Sequence, residues 1–513
     1  MSLEFYKELQ SHAQNFPDKD AIIEGDSSTT YAELLEQVER FAGGLDSLGL
    51  GPKSKVGILC LNQKENLIAL LGCFLKGVTV IPLNFLLSPE DLVYIVREAE
   101  VDVLVVDAMF VVEPSAKFFS LFKHKIFIGD AADPKILGEG ALPFERFVSR
   151  ADREAGKNRH ERETGIPDAI LYTSGTTARP KGVMLNESQF YENVTGILVN
   201  AAFKAEDRAI MALPLFHSFG NIIALVFVKT GGTLIFIRQF APKSILENIT
   251  KHKATILPVV PTIYSFLLDV YARGGYDVSS LRYCIAGGAA LPTALLHMVE
   301  EVLTVTVIEG YGLTETSPVI AVNTFADGSV TGSVGPVLPN VQVKIVDEDG
   351  KEVQQGGQGE IIVNGKTLSK GYWKQPEETA KLFTSDGWLK TGDLGHLDEN
   401  NRLCISAGRK KDLIIRAGEN VSPLAIENAL MNHPAVAEVA AIGIPHERKG
   451  EQVVVCLALR EGEEVSNKDL KDYCRKNLPA FMTPDIIKIY KQLPKNAAGK
   501  ILKNTLRDEA LPK

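Results

Sequence analysis

The densest run of reactive residue types in the chain is Thr173-Ser174-Gly175-Thr176-Thr177-Ala178-Arg179-Pro180-Lys181-Gly182, which follows the short apolar strand Ile170-Leu171-Tyr172. Ser174, Thr176 and Thr177 offer hydroxyl donors, and Gly175 and Gly182 allow close backbone approach. Lys181 adds a mobile point charge. Amides, hydroxyls and a cation in one turn are what a polyphosphate requires. The run does not fit G-x-x-x-x-G-K-S/T, which disfavours the ordinary P-loop mechanism. A polar surface loop would share this composition, so the choice rests on the residues that accompany it.

Gly310-Tyr311-Gly312-Leu313-Thr314-Glu315 follows the apolar strand Val305–Ile308. Glycines on both sides of Tyr311 let its ring lie flat on a planar ligand such as adenine, and Glu315 is suited to a divalent cation that bridges phosphates. Thr391-Gly392-Asp393 supplies a carboxylate for ribose hydroxyls, and Arg409 can reach the same sugar or its phosphate. Lys500 ends the polar loop Pro494-Lys495-Asn496-Ala497-Ala498-Gly499-Lys500. Its ammonium would neutralise charge while an attacking carboxylate and a departing pyrophosphate share one phosphorus. Taken singly, each has a plainer reading: Tyr311 in the core, Asp393 in a turn, Arg409 in a solvated charge cluster, Lys500 on the surface.

The elements that must position these groups follow a rhythm. From Thr30 to Gln239 short β-branched runs alternate with helical ones, such as helix Tyr31–Leu48, strand Lys55–Cys60, helix Glu65–Leu75 and strand Val78–Ile81. The alternation continues to Val305–Ile308 and predicts an α/β fold of layered units in a large N-terminal domain. Gly332–Leu397 is dense in glycine, with alternating strands at Val341–Val346 and Gly359–Val363, and predicts a small β-rich unit joined to it. After Arg409-Lys410-Lys411-Asp412 comes an α+β tail: strand Leu413–Arg416, helix Pro423–Met431, strands Val436–Ile444 and Gln452–Ala458, helix Asn467–Asn477. The expected domains are therefore 1–411 and 412–513. Ser149–Glu163 reads as a polar connector.

Composition narrows the functions. At 513 residues one hydrophobic core is not expected, and 45% apolar with 23% charged residues is a globular balance. The net charge of -9, without a basic stripe, argues against nucleic acid as a partner but leaves room for a local anion pocket. Cys60, Cys73, Cys284, Cys404, Cys456 and Cys474 form no C-x-x-C pair and read as reduced, buried thiols. With no visible secretory signal, the expected location is cytoplasmic. Asn66–Leu83 is apolar but holds Lys76, Gly77 and Pro82, so it reads as a packed helix and strand rather than a transmembrane segment. Peripheral contact with a membrane stays open, as does the choice between monomer and homodimer.

Together, Tyr172–Gly182, Tyr311–Glu315, Thr391–Asp393, Gly408–Asp412 and Gly499–Lys500 resemble, in order, the motifs of the adenylate-forming superfamily of acyl-CoA synthetases, luciferases and peptide-synthetase adenylation domains. The resemblance covers the chain from about residue 10 to its end. It implies ATP, Mg²⁺ and coenzyme A as cofactors, an N-terminal adenylation domain and a mobile C-terminal lid. It puts Thr173, Ser174, Gly175, Thr176, Thr177 and Lys181 around pyrophosphate, and Tyr311 with the wall Gly287-Gly288-Ala289 at adenine. Thr314 and Glu315 would serve phosphate and Mg²⁺, Asp393 and Arg409 the ribose. Lys411 would be the hinge, Lys500 the adenylation lysine, and Gly418 would reach the site after the lid turns. His217 matches the position that is aromatic or histidine at the acyl pocket, which Phe219, Gly220, Ile222, Val260, Pro261 and Gly312 would line.

Departures are Ala178 for a usual glycine, Ala417 before Gly418 where two glycines often occur, Ala425 for a frequent glutamate, and Lys503 for arginine. None removes a residue with an obvious chemical role. The implied reaction joins a carboxylic acid to ATP as an acyl-adenylate and then to the CoA thiol, releasing AMP and pyrophosphate. The run Ile308–Val322 is similar to that of fatty acyl-CoA ligases, and apolar pocket walls favour a medium- or long-chain fatty acid. A coumarate- or benzoate-like acid is the alternative, as is delivery to a phosphopantetheine carrier protein.

Overall fold

Strands rich in Val and Ile, each followed by a helix with one apolar face, cannot bury that face alone and stack into layers. In a computed structural model of the chain they form two large sheets. The structure describes residues 3–511 except 113–114, 131–132, 162, 174–178, 410–411, 417–418, 447–448 and 496–500, and of 134, 407–409 and 420 the backbone alone.

One sheet runs, in spatial order, Ala141–Pro143, His124–Ile128, Val103–Asp107, Lys55–Leu59, Thr79–Pro82, Ala169–Thr173, Lys181–Leu185. Its neighbours are parallel except the last pair, which is antiparallel. The other sheet places Val319–Val322 and Ser27–Thr30 as antiparallel edges around the parallel strands Thr306–Gly312, Tyr283–Ala286, Ile256–Val259, Arg208–Met211, Thr233–Phe236 and Asp20–Glu24.

Helices Lys64–Lys76 and Ser218–Thr230 are buried almost all round, which makes them core helices. The apolar run Asn66–Leu83 is therefore interior packing. Lys76 is 1% exposed, and its ammonium is held by Asp46 at 2.5 Å and by the carbonyls of Asn158 at 2.7 Å and Ala155 at 3.1 Å. Those carbonyls correct the reading of 149–163 as a mere connector. Arg153–Gly156 is a short helix whose Gly156 packs on the Glu39 carbonyl, and Arg159 pairs with Asp168 at 3.0 Å and Glu187 at 3.2 Å. A segment reads as polar when its charges pair inward. No helix among the described residues is long and apolar enough to cross a membrane, and all six cysteines are free and buried.

The expected β-rich unit is a four-stranded antiparallel sheet of Val341–Val346, Gly359–Gly365, Leu389–Leu397 and Leu403–Arg409. The C-terminal α+β domain has its own sheet, in which Val436–His446 and Ile486–Tyr490 flank Gly450–Leu459. Its apolar clusters are built entirely from residues between Ile414 and Ala510. It folds on its own core.

Candidate active site

The hydroxyl-rich loop joins two antiparallel strands. Thr173 and Lys181 stand opposite each other, so the loop leaves and re-enters the sheet at one rung. A hairpin mouth of this kind differs from the strand-to-helix turn of a P-loop. Ser174, Gly175, Thr176 and Thr177, with Ala178, lie outside the described residues, as do Lys411, Ala417, Gly418 and Lys500.

Lys181 is well placed by its strand. Its ammonium meets Glu378 Oε2 at 2.5 Å and lies 5.2 Å from the centroid of the Tyr372 ring. The Tyr372 hydroxyl donates to Glu315 Oε1 at 2.8 Å, and the Ser369 amide donates to the Glu315 carbonyl at 2.8 Å. Thr314 donates to Ser218 Oγ at 3.2 Å. Lys181, Thr314 and Glu315 thus come together, and Tyr372, Glu378 and Ser218 join them without having been anticipated.

Tyr311 is next to last in an inner strand of the larger sheet, which runs on to Gly312 rather than stopping at Ile308. Its hydroxyl donates to Asp393 Oδ2 at 2.7 Å. Gly392, at a φ of +71°, turns the backbone where a side chain would be strained, and the Thr391 hydroxyl accepts from the Asp393 amide at 3.1 Å. Arg409 stands opposite Asp393 across the strand pair; its side chain is not among those described.

The wall Gly287-Gly288-Ala289 follows the strand Tyr283–Ala286. A Cβ on Gly287 would sit 3.2 Å from the Phe219 ring, and one on Gly288 would sit 3.5 Å from Val260. Phe219, Val260 and the wall are therefore neighbours. Beneath the wall, Glu309 Oε1 accepts from the Leu291 amide at 3.3 Å. Burial pushes that carboxyl up to about 7, and the amide bond only partly opposes it. A lone acid closing an apolar strand was the one signal for Glu309.

Three expected pocket residues do something else as well. His217 is the N-cap of helix Ser218–Thr230, its Nδ1 accepting from the Phe219 amide at 3.3 Å. A Cβ on Gly220 would meet the Pro214 carbonyl oxygen at 2.3 Å, and one on Gly312 the Pro318 carbonyl oxygen at 1.8 Å. Both glycines are required where backbone packs on backbone, so neither is explained by room for an acyl group.

Among the described residues no group of three or more His, Cys, Asp or Glu could hold a metal ion. A single carboxylate such as Glu315 fits Mg²⁺ when substrate phosphates supply the remaining oxygens.

Residues 9–373 match the family described as AMP-binding enzyme, and residues 425–500 match the AMP-binding enzyme C-terminal domain. The chain belongs to the AMP-binding enzyme family. It is 32% identical to a long-chain-fatty-acid–CoA ligase of Bacillus subtilis (strain 168), over 98% of this chain and 93% of the relative. A feruloyl-CoA synthase of an Amycolatopsis species is 30% identical, covering 96% of each chain. The solved structure of ATP-bound MatB from Rhodopseudomonas palustris superposes with a TM-score of 0.86 at 31% identity over 99% of each chain. The ligase is thus an ATP-dependent, AMP-forming enzyme of the acyl-CoA ligase type, activating a carboxylic acid to an acyl-adenylate. The expected leaning toward fatty acyl-CoA ligases is not singled out, since a relative named feruloyl-CoA synthase is nearly as similar.

Proposed function

We propose that the ligase activates a ring-bearing carboxylic acid and transfers the acyl group to coenzyme A. The observation that carries this is an aromatic side chain, Phe219, packed beside Gly287 with Val260 beside Gly288, at the strand ends of the larger sheet, in a chain 30% identical to a feruloyl-CoA synthase. An aromatic side chain at the acid site would stack with an aryl group, which adds to its area burial. A medium- or long-chain fatty acid, supported by the Bacillus relative, is the competing reading.

In the first step a carboxylate oxygen bonds to the α-phosphorus of ATP as the bond to pyrophosphate breaks. Lys181 and the Thr173–Thr177 loop hold the departing pyrophosphate, and Asp393 with Tyr311 orients the adenosine. Lys500 offsets charge on the transferring group. Mg²⁺, held by Glu315, would add further charge neutralisation at the phosphates. In the second step the CoA thiol attacks the acyl carbonyl, loses its proton, and AMP departs. We place the domain boundary at Lys411–Asp412, with rotation there withdrawing Lys500 and bringing Gly418 to the site.

The test is a panel of acids with ATP, Mg²⁺ and CoA, read by AMP release and mass spectrometry of products. Hydroxycinnamate should exceed dodecanoate in kcat/KM; the opposite order would return the fatty-acid reading. Replacing CoA by a holo-carrier protein should slow the second step. Lys500→Ala should abolish acid-dependent ATP–pyrophosphate exchange yet largely retain thioester formation from supplied acyl-adenylate, and unimpaired exchange would remove Lys500 from the mechanism.

A further inference from the structure

We propose that Glu378 is a resident counter-anion of Lys181 that the terminal phosphates of ATP must displace, so that it sets how tightly the ligase holds ATP and pyrophosphate. This rests on Lys181 being a pyrophosphate-binding cation.

The pair is built into the fold. Glu378 comes from the short helix Pro376–Leu382, and the chain just before it is bonded to the strand that carries Lys181. The Trp373 amide donates to the Gly182 carbonyl at 2.7 Å, and the Met184 amide to the Gly371 carbonyl at 3.0 Å. The Tyr372 amide donates to Thr379 Oγ1 at 2.9 Å, which ties the helix back to the same segment. Glu378 therefore reaches Lys181 from a fixed base. The contact is 2.5 Å, and the two side chains are 14% and 31% exposed for Lys181 and Glu378. Lys381 binds the other Glu378 oxygen at 2.6 Å, so the carboxylate stays paired when Lys181 leaves.

Two features make this an exchangeable partner. Lys181 sits at the mouth of the hydroxyl-rich loop, opposite Thr173, where a phosphate held by that loop would approach it. Glu378 is pulled down to about 2, by Lys181 first and Lys381 second, so it stays ionised throughout neutral pH and a proton will not release the lysine. A more highly charged anion is the competitor that can. Part of the attraction between Lys181 and phosphate is then offset by the lost pair, which weakens nucleotide binding and favours departure of pyrophosphate.

Glu378→Gln keeps the shape and removes the charge. It should lower the KM for ATP and the inhibition constant of pyrophosphate together, by about five-fold, the scale of a partly exposed ion pair. Raising both constants would mean that Glu378 holds Lys181 in its productive position, and leaving both unchanged would mean that the pair does not compete; either overturns the proposal. Lys181→Ala separates the underlying reading, because unchanged constants in that variant would show that Lys181 does not bind phosphate. In Lys181→Ala/Glu378→Gln the effect of Glu378→Gln should vanish. An effect that persists without Lys181 would assign Glu378 a purely structural role.

Discussion

Tyr311→Phe isolates one bond of the proposed nucleotide site. The substitution leaves the ring, and with it any stacking surface, but removes the hydroxyl that donates to Asp393 Oδ2 at 2.7 Å. Asp393 is 6% exposed, so water cannot readily replace the donor. A hydrogen bond to a carboxylate in such surroundings contributes about 1.5–3 kcal/mol. Some of that loss falls on folding, since the bond exists without nucleotide. The rest appears as poorer orientation of Asp393 toward ribose, and about 1.4 kcal/mol of it gives a ten-fold weaker complex. Titration calorimetry with AMP should therefore show a dissociation constant raised about ten-fold, with a parallel rise in the KM for ATP. Two results would refute the reasoning. Unchanged AMP affinity with a lowered melting temperature would make the bond purely structural. Tighter AMP binding would mean that the Tyr311 hydroxyl competes with ribose for the carboxylate.

Glu309 predicts a pH dependence. Burial raises its folded value to about 7 from an ordinary 4.5, so the fold prefers the protonated form. As pH rises through that window the unfolded chain has released the proton while the folded chain retains it, so stability falls and then levels above about 7. The full share is about 3 kcal/mol, and Glu309→Gln should remove it. Urea unfolding of both proteins at about pH 5 and about pH 8 checks this; an unchanged difference between the two pH values would count against it. Gly287→Ala places a methyl 3.2 Å from the Phe219 ring, which must shift. Larger ring acids should then lose kcat/KM while short acids keep theirs, and a uniform loss would deny Gly287 its place in the acid pocket.

Much of the fold could be read ahead because period and punctuation agree. The β-branched runs at Lys55–Leu59 and Val103–Asp107 have one secondary-structure solution, and Gly77 at a φ of +77° ends the buried helix where the sequence suggests. Tyr311 and Asp393 were each recognisable by residue type, and the fold joins them across 82 positions. Tyr372 and Glu378 were not recognisable. Gly-Tyr-Trp-Lys-Gln-Pro-Glu-Glu-Thr reads as a surface turn entering a helix, and Glu378 acquires a role only by meeting Lys181 across 197 positions. The same limit hid strand Lys181–Leu185, whose pairing defines the loop mouth, and the docking of Arg153–Gly156 against Glu39 and Gly43. Gly220 and Gly312 show a different obstacle. Their need for a missing Cβ is plain in the structure, but sequence cannot separate a glycine that admits a ligand from one that admits another stretch of backbone.

The site divides unequally among the units that build it. Phe219, Val260 and Gly287 all follow strands of the larger sheet, where open α/β folds bind ligands at strand ends. In the proposed function the acid side therefore belongs to one unit. The nucleotide side belongs to three. Tyr311 comes from the larger sheet, Lys181 from the other, and Asp393 with Tyr372 from the β-rich region, which bonds to both through the Tyr311–Asp393 and Tyr372–Glu315 contacts and through Trp373 on Gly182. A change that moves any one unit should therefore disturb nucleotide binding, whereas a side-chain change near Phe219 should alter the acid side alone. Under the proposed function that asymmetry is consistent with relatives that share about a third of their residues with this chain yet are named for acids as different as a long-chain fatty acid and ferulate. It also means that substitutions at Val260 or Gly288 should redirect acid preference at nearly constant KM for ATP, while those at Tyr372 should change the KM for ATP for every acid tried.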